Sequence, residues 1–183
     1  MRIATIVLVS LAALSSAAAL AGQTCEGKRL RNEADFTPLA GGAQLLDHKT
    51  GLIWDRCIEG QQWTGATCKA DDPQAVNPGP SVTYAEAQKL AAAKATDAEK
   101  WRLPTKAELV TLREPDCYNP SLNLNLFPTD PAWSSDGFYW TSTRESAGMS
   151  LVDAIGQSDA WSKTGPTNIA HVRLVRTAPK ETK

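Results

Sequence analysis

The chain has 183 residues, with 19 Lys and Arg against 20 Asp and Glu and a formal net charge of −1. That balance provides no clustered basic field to displace counterions from a polyanion, so nucleic acid is excluded as the expected partner. The length suits one ordinary domain with its own core, and a second domain is not required.

The opening MRIATIVLVSLAALSSAAALAGQ sets Arg2 before an apolar run from Ile3 and places Ala19 and Ala21 two apart. This is the pattern of a secretory signal peptide, with cleavage expected after Ala21. Ser10, Ser15 and Ser16 break the apolar run, which argues against a membrane-spanning anchor. Thr24 and Gly22 fit a lipid-attachment site at Cys25 poorly. Cleavage at Ala21 removes only Arg2 among charged residues, so 19 Lys and Arg become 18 against 20 acids, a net charge of about −2. The mature chain is therefore expected in the periplasm or outside the cell, with no membrane insertion after cleavage. Residues 22–42 are read as an N-terminal arm, 43–177 as the domain and 178–183 as a tail.

Four cysteines remain, Cys25, Cys57, Cys68 and Cys117. An even number in an exported chain implies two disulfides, and three pairings are open. Zinc is the competing use, but no two cysteines show C-x-x-C spacing and His48 and His171 stand alone, so no metal and no other cofactor is expected. Cys57 and Cys68 bracket a polar, Gly-containing excursion, and a bridge there closes a short loop worth ~2–3 kcal/mol in the chain-entropy model. That pairing is preferred, and Cys25 then takes Cys117.

AQLLDHKTGLIWDR (43–56) has two apolar segments around a polar turn ending at Gly51, the pattern of a β-hairpin with Leu46, Ile53 and Trp54 buried. Residues 69–82 carry prolines and glycines without periodicity and read as loop. Thr83 and Glu86 form a capping box for a helix reaching about Ala95, with Tyr84, Ala87, Leu90 and Ala91 on one face. In WRLPTKAELVTL (101–112), Pro104 pushes Leu103 toward an extended conformation and separates the two helices. Thr105 and Glu108 then form a second capping box for a helix ending near Arg113, whose apolar side is Ala107, Leu109, Val110 and Leu112. Arg102 and Glu108 carry the charges of this stretch, and an ion pair holding the helix entrance accounts for both. Beyond Glu114 runs a long polar loop with apolar pins at Leu122, Leu124, Leu126 and Phe127. Strand signals follow at 138–143, 149–155 and 169–176, the last alternating Val172 and Leu174 with His171 and Arg173. Hairpin, two helices, long loop and several strands make an α+β pattern without a βαβ repeat.

The series DHKTGLIWDRC, EGQQWTGATC, TYAEAQKL, WRLPTKAEL, CYNPSLNLNLFP, FYWTST and HVRLVR, in this order over about 43–176, resembles the C-terminal domain family of the Legionella collagen-like adhesin. The resemblance implies a C-type lectin-like fold, shared with the formylglycine-generating enzymes, in which two helices pack on a small twisted antiparallel sheet and long loops form the ligand surface. RLPTKAEL at 102–109 is similar to a segment of those enzymes, but their catalytic cysteines lie late in the domain. Here no cysteine follows Cys117, so that chemistry has no thiol at the expected place. The Glu-Pro-Asn or Gln-Pro-Asp and Trp-Asn-Asp markers of calcium-dependent lectins are also absent. An imidazole can act as a general base near neutrality, so His48 and His171 are candidates, yet a turn and a strand histidine are more often merely exposed.

Six tryptophans require allocation. Trp54, Trp101 and Trp140 fall on strands or at a helix entrance and are read as core. Trp63, Trp133 and Trp161 lie in polar loops, where an indole either pins its loop or offers a flat face to a sugar or a protein. The expectation is a non-catalytic binding domain that recognises a glycan or protein ligand through loops 127–136 and 143–166, with Trp133, Asp136, Arg144, Asp159 and Trp161 at the site. An enzyme derived from the formylglycine-generating branch, or a structural or inhibitory subunit of an exported assembly, are the alternatives.

Overall fold

The computed structural model describes residues 23–27, 30–71, 81–118, 120–128, 138–144, 150–154 and 169–180. The signal-peptide reading of residues 1–21 lies outside them. In chain order the elements are β1 (Thr24–Cys25), β2 (Phe36–Leu39), β3 (Gln44–Asp47), β4 (Leu52–Asp55), β5 (Gln61–Trp63), β6 (Cys68–Ala70), β7 (Val82–Thr83), α1 (Tyr84–Lys94), α2 (Lys106–Val110), β8 (Cys117–Tyr118), β9 (Phe138–Arg144), β10 (Ser150–Ala154), β11 (Ile169–Ala170) and β12 (Val175–Thr177). The class is α+β.

The expected hairpin is β3–β4. Asp47 closes its turn, accepting from Lys49 N (2.9 Å) and Thr50 Oγ1 (2.8 Å), and Gly51 supplies the left-handed φ of 69°. Around it forms an antiparallel four-stranded sheet in the order β12-β4-β3-β2. The segment read as an arm thus contributes the edge strand β2. Pairs β1–β8, β5–β6, β9–β10 and β7–β11 surround the sheet.

β4 is buried at all four positions, as a strand covered on both faces must be. Leu52 and Trp54 face one core with Leu45, Phe36, Leu109, Leu112, Leu122, Leu126 and Phe127. Ile53 faces a second core with Ala87 and Ala91 of α1, Trp101, Leu103, Trp140, Val172 and Leu174. The three tryptophans read as core are all within 4 % of full burial. Three of the four loop pins, Leu122, Leu126 and Phe127, are buried in the first core, while Leu124 is half-buried.

Several expectations change. Lys69 and Ala70 are strand residues of β6, and Val82 pairs in β7 with Ala170, because short ribbons capture both ends of the stretch read as loop. Leu46 is half-buried against the second core, and Leu45 is the fully buried apolar residue of β3. The helix α2 stops at Val110 rather than near Arg113; Ala107 and Val110 are exposed, and Leu109 and Leu112 alone carry the packing. The terminal strand divides into β11 and β12, and residues 171–174 run buried between them instead of alternating. His171 exchanges backbone bonds with β9, its N donating to Phe138 O (2.9 Å) and its O accepting from Trp140 N (3.0 Å). Arg173, 1 % exposed, donates to Asp55 O (2.8 Å) and Arg56 O (2.5 Å) and lies 4.9 Å from the Phe127 ring. The chain crosses between packed layers here, so backbone carbonyls and rings serve Arg173 where an open strand would offer water.

Both preferred disulfides are present, Cys25–Cys117 across 92 residues and Cys57–Cys68 across 11. Loop-closure entropy makes the long bridge worth about 4–5 kcal/mol and the short one about 3. Urea denaturation of the paired serine variants should therefore show a larger loss for Cys25/Cys117 than for Cys57/Cys68; the reverse order would mean that the N-terminal segment is held by other contacts.

Candidate functional site

Of the residues assigned to the ligand surface from sequence, Trp133, Asp136, Asp159 and Trp161 lie outside the described residues. Arg144 ends β9, exposed, opposite Ser150 of β10.

The RLPT stretch is fully described. Trp101 is 4 % exposed, and Arg102 pairs by backbone with Val175 in both directions at 3.0 Å, continuing the sheet beyond β12. Pro104 O accepts from Ser142 N at 2.7 Å, which docks the helix entrance on β9. Thr105 Oγ1 accepts from Glu108 N (3.2 Å) while Glu108 Oε2 accepts from Thr105 N (2.8 Å), closing the capping box. Arg102 grips the same carboxylate bidentately, both contacts at 2.7 Å. Its guanidinium holds the Glu108 pKa below the ordinary carboxylate value, ahead of the opposing effect of burial. Both carboxylate oxygens of Glu108 are thereby committed, and Trp101, Arg102, Pro104, Thr105 and Glu108 act as scaffold.

A polar cleft of about 350 Å³ opens beside this frame, lined by Asp55, Glu59, Gln62, Trp63, Asp71 and Lys94 among others. Lys94, the last residue of α1, reaches Asp55 Oδ2 (2.5 Å) and Glu59 Oε1 (3.0 Å) and lies 5.2 Å from the Trp101 ring. Burial pushes the Asp55 carboxyl up to about 6, and the Lys94 ammonium offsets only part of that rise. Burial pulls Lys94 down, but Asp55 and Glu59 together more than reverse it, so its pKa ends above the ordinary value.

Trp63 stands half-exposed at the mouth of the cleft. Arg56 fixes it from one side, its guanidinium 4.2 Å from the ring and anchored on Leu126 O (2.9 Å) and Gly42 O (3.1 Å). Gly42, which accepts from Arg56, is required next to the indole, since its φ is +93° and a Cβ there would sit 2.9 Å from Trp63 Nε1. Trp63, expected in a polar loop, instead ends strand β5 opposite Cys68, and its indole is pinned yet partly open. Sequence reasoning flagged Trp63 but missed Asp55, Glu59 and Lys94; Asp55 ends β4 and Glu59 lies just beyond it, while Lys94 ends α1, and no spacing signals their meeting.

The cleft offers acceptors, an ammonium and an aromatic edge. All four cysteines are in disulfides, and among the described residues no group of His, Cys, Asp and Glu is placed to hold a metal ion. His48 is exposed and bonds Thr37 Oγ1 at 2.7 Å; His171, expected exposed, is 7 % exposed because it lies under the β9 crossing.

The family model for the Lcl C-terminal domain matches residues 43–176. No curated protein and no solved structure matches the chain.

Two outcomes follow from the ionic groups. Because the folded-state pKa of Asp55 is raised, the folded protein holds a proton between pH ~4 and ~6 that the unfolded chain has released, so this group adds stability as pH falls through that window. Asp55→Asn should remove up to about 3 kcal/mol of that rise, read as the difference between urea-unfolding free energies at pH 4 and pH 7; an unchanged slope would contradict the burial cost. Glu108→Gln should cost about 1–2 kcal/mol by loss of the cap and the Arg102 fork, and a thermal scan showing no loss would remove the scaffold role.

Proposed function

The chain belongs to the Lcl C-terminal domain family, and from that premise we propose that it is an exported, non-catalytic, adhesin-type binding domain with a C-type lectin-like fold, recognising a glycan or protein ligand. The signal-peptide pattern at 1–21 and two disulfides support export to the periplasm or beyond. Two helices against small antiparallel sheets support the fold reading.

The observation that carries the binding reading is the half-exposed Trp63, held in place by Arg56 at the mouth of a cleft that mixes carboxylates with the Lys94 ammonium. A flat apolar face beside donors and acceptors of both signs matches the C–H faces and hydroxyls of a sugar, and equally an interface anchor on a protein. In this reading the loops 127–136 and 143–166 extend the surface with Trp133, Asp136, Arg144, Asp159 and Trp161. The reaction chemistry of the formylglycine-generating branch has no thiol in this chain, since every cysteine is bridged.

A glycan and protein array probed with the mature domain tests the proposal. A hit should weaken by about 2 kcal/mol, roughly thirtyfold, in Trp63→Ala and again in the Trp133→Ala, Trp161→Ala double variant. Binding that survives in all three positions' variants would displace the site, and turnover of any bound compound would overturn the non-catalytic reading.

A further inference from the structure

A second cavity, of about 400 Å³, lies beside the Cys25–Cys117 bridge and is lined by Glu26, Arg113, Pro115, Asp116, Tyr118 and Ser121 around Cys117. The β1–β8 pairing brings its acidic wall together, with Glu26 N donating to Asp116 O at 2.8 Å. Arg113 lines the same cavity, held by its bridge to Leu122 just after α2.

Among the described residues, two buried polar atoms of this cavity have no partner. The Arg113 Nε is buried without an acceptor. Glu114, the carboxylate next to it in the chain, is turned fully inside and committed to Leu30 N (2.5 Å) and Arg31 N (3.0 Å). Ser121, 2 % exposed, has a buried hydroxyl with no partner. The half-buried Arg113 guanidinium thus shares the cavity with the exposed carboxylates of Glu26 and Asp116. The buried Arg113 Nε and Ser121 Oγ are costly in this state unless something completes them.

We propose that this cavity is a binding site for a zwitterion, an α-amino acid whose carboxylate meets Arg113 and Ser121 and whose ammonium meets Asp116 and Glu26. A simple anion would face two carboxylates, and a simple cation would face the guanidinium; a ligand with both charges satisfies each wall. The planar fork of Arg113 matches a carboxylate through two parallel bonds. Pro115 and the 37 %-exposed Tyr118 give the side chain an apolar wall. The volume falls in the range of small-molecule sites. The site is separate from the Trp63 cleft and does not rest on the adhesin-type reading.

Calorimetric titration of the oxidised mature protein with each of the twenty amino acids, to about 10 mM, tests it, with acetate and methylamine as single-charge probes. The expected result is at least one amino acid with Kd below about 1 mM, both single-charge probes about tenfold weaker or more, and about tenfold weaker binding of that amino acid in Arg113→Lys and in Asp116→Asn. Arg113→Lys keeps the charge and loses the fork, and thermal unfolding of both variants checks that they fold. Absence of binding by every amino acid, equal binding of acetate or methylamine, or unchanged affinity in the two folded variants would overturn the proposal.

Discussion

The fold depends on burying a four-residue strand from both sides. LIWD in β4 is buried at every position, so two separate layers must be recruited over it. One is built from α2 and the loop carrying Leu122, Leu126 and Phe127; the other from α1, Trp101 and Trp140. Each layer comes from sequence distant from β4, and the sheet has no core until both are in place. The long disulfide and the crossing at residues 171–174 are consequences, since they tie the covering segments to the sheet and to one another.

Two-sided burial forces polar groups inside, where they set registry. Arg31 pairs with Asp47 at 2.5 Å while its backbone is gripped by Glu114 and by Asn123 Nδ2 at 2.9 Å, which locks the entry to β2 against the turn of β3 and the loop beyond α2. Arg173 caps the carbonyls at the end of β4. Removing one member of such a set strands a buried charge, so these groups specify the arrangement even where their net contribution to stability is small. Asp55 sits at the same strand end, and its burial gives the Trp63 cleft a carboxyl with an unusual affinity for protons.

What the sequence disclosed was local. The capping boxes Thr83–Glu86 and Thr105–Glu108 and the Asp47–Gly51 turn depend on residues a few positions apart, and each formed as the spacing implies. The cysteine pairing followed from loop length. Position along the chain failed where tertiary packing decides: His171 and Arg173 alternate with Val172 and Leu174 like surface residues, yet all four are buried because the strand dives between layers. Ala107 and Val110 match a helical apolar stripe, but a five-residue helix turns too little of itself inward to bury them. The Lys94 cluster and the cavity at Arg113 join separate segments, and pairwise proximity of that kind leaves no periodic trace. The expected ligand loops fall mostly outside the described residues, with Arg144 alone at their border.

WRLPTKAEL is therefore a frame member: it extends the central sheet at Arg102, docks on β9 through Pro104 and seals α2 through Glu108. Native-state hydrogen exchange of the oxidised protein tests this two-sided frame most directly. The amides of Asp55, Arg102 and Val175, bonded across the sheet to Leu174, Val175 and Arg102, should exchange only through global unfolding, with the free energy that urea denaturation gives. Exchange of these amides at a clearly lower free energy than global unfolding would show that the sheet opens without losing both cores, and would contradict the account.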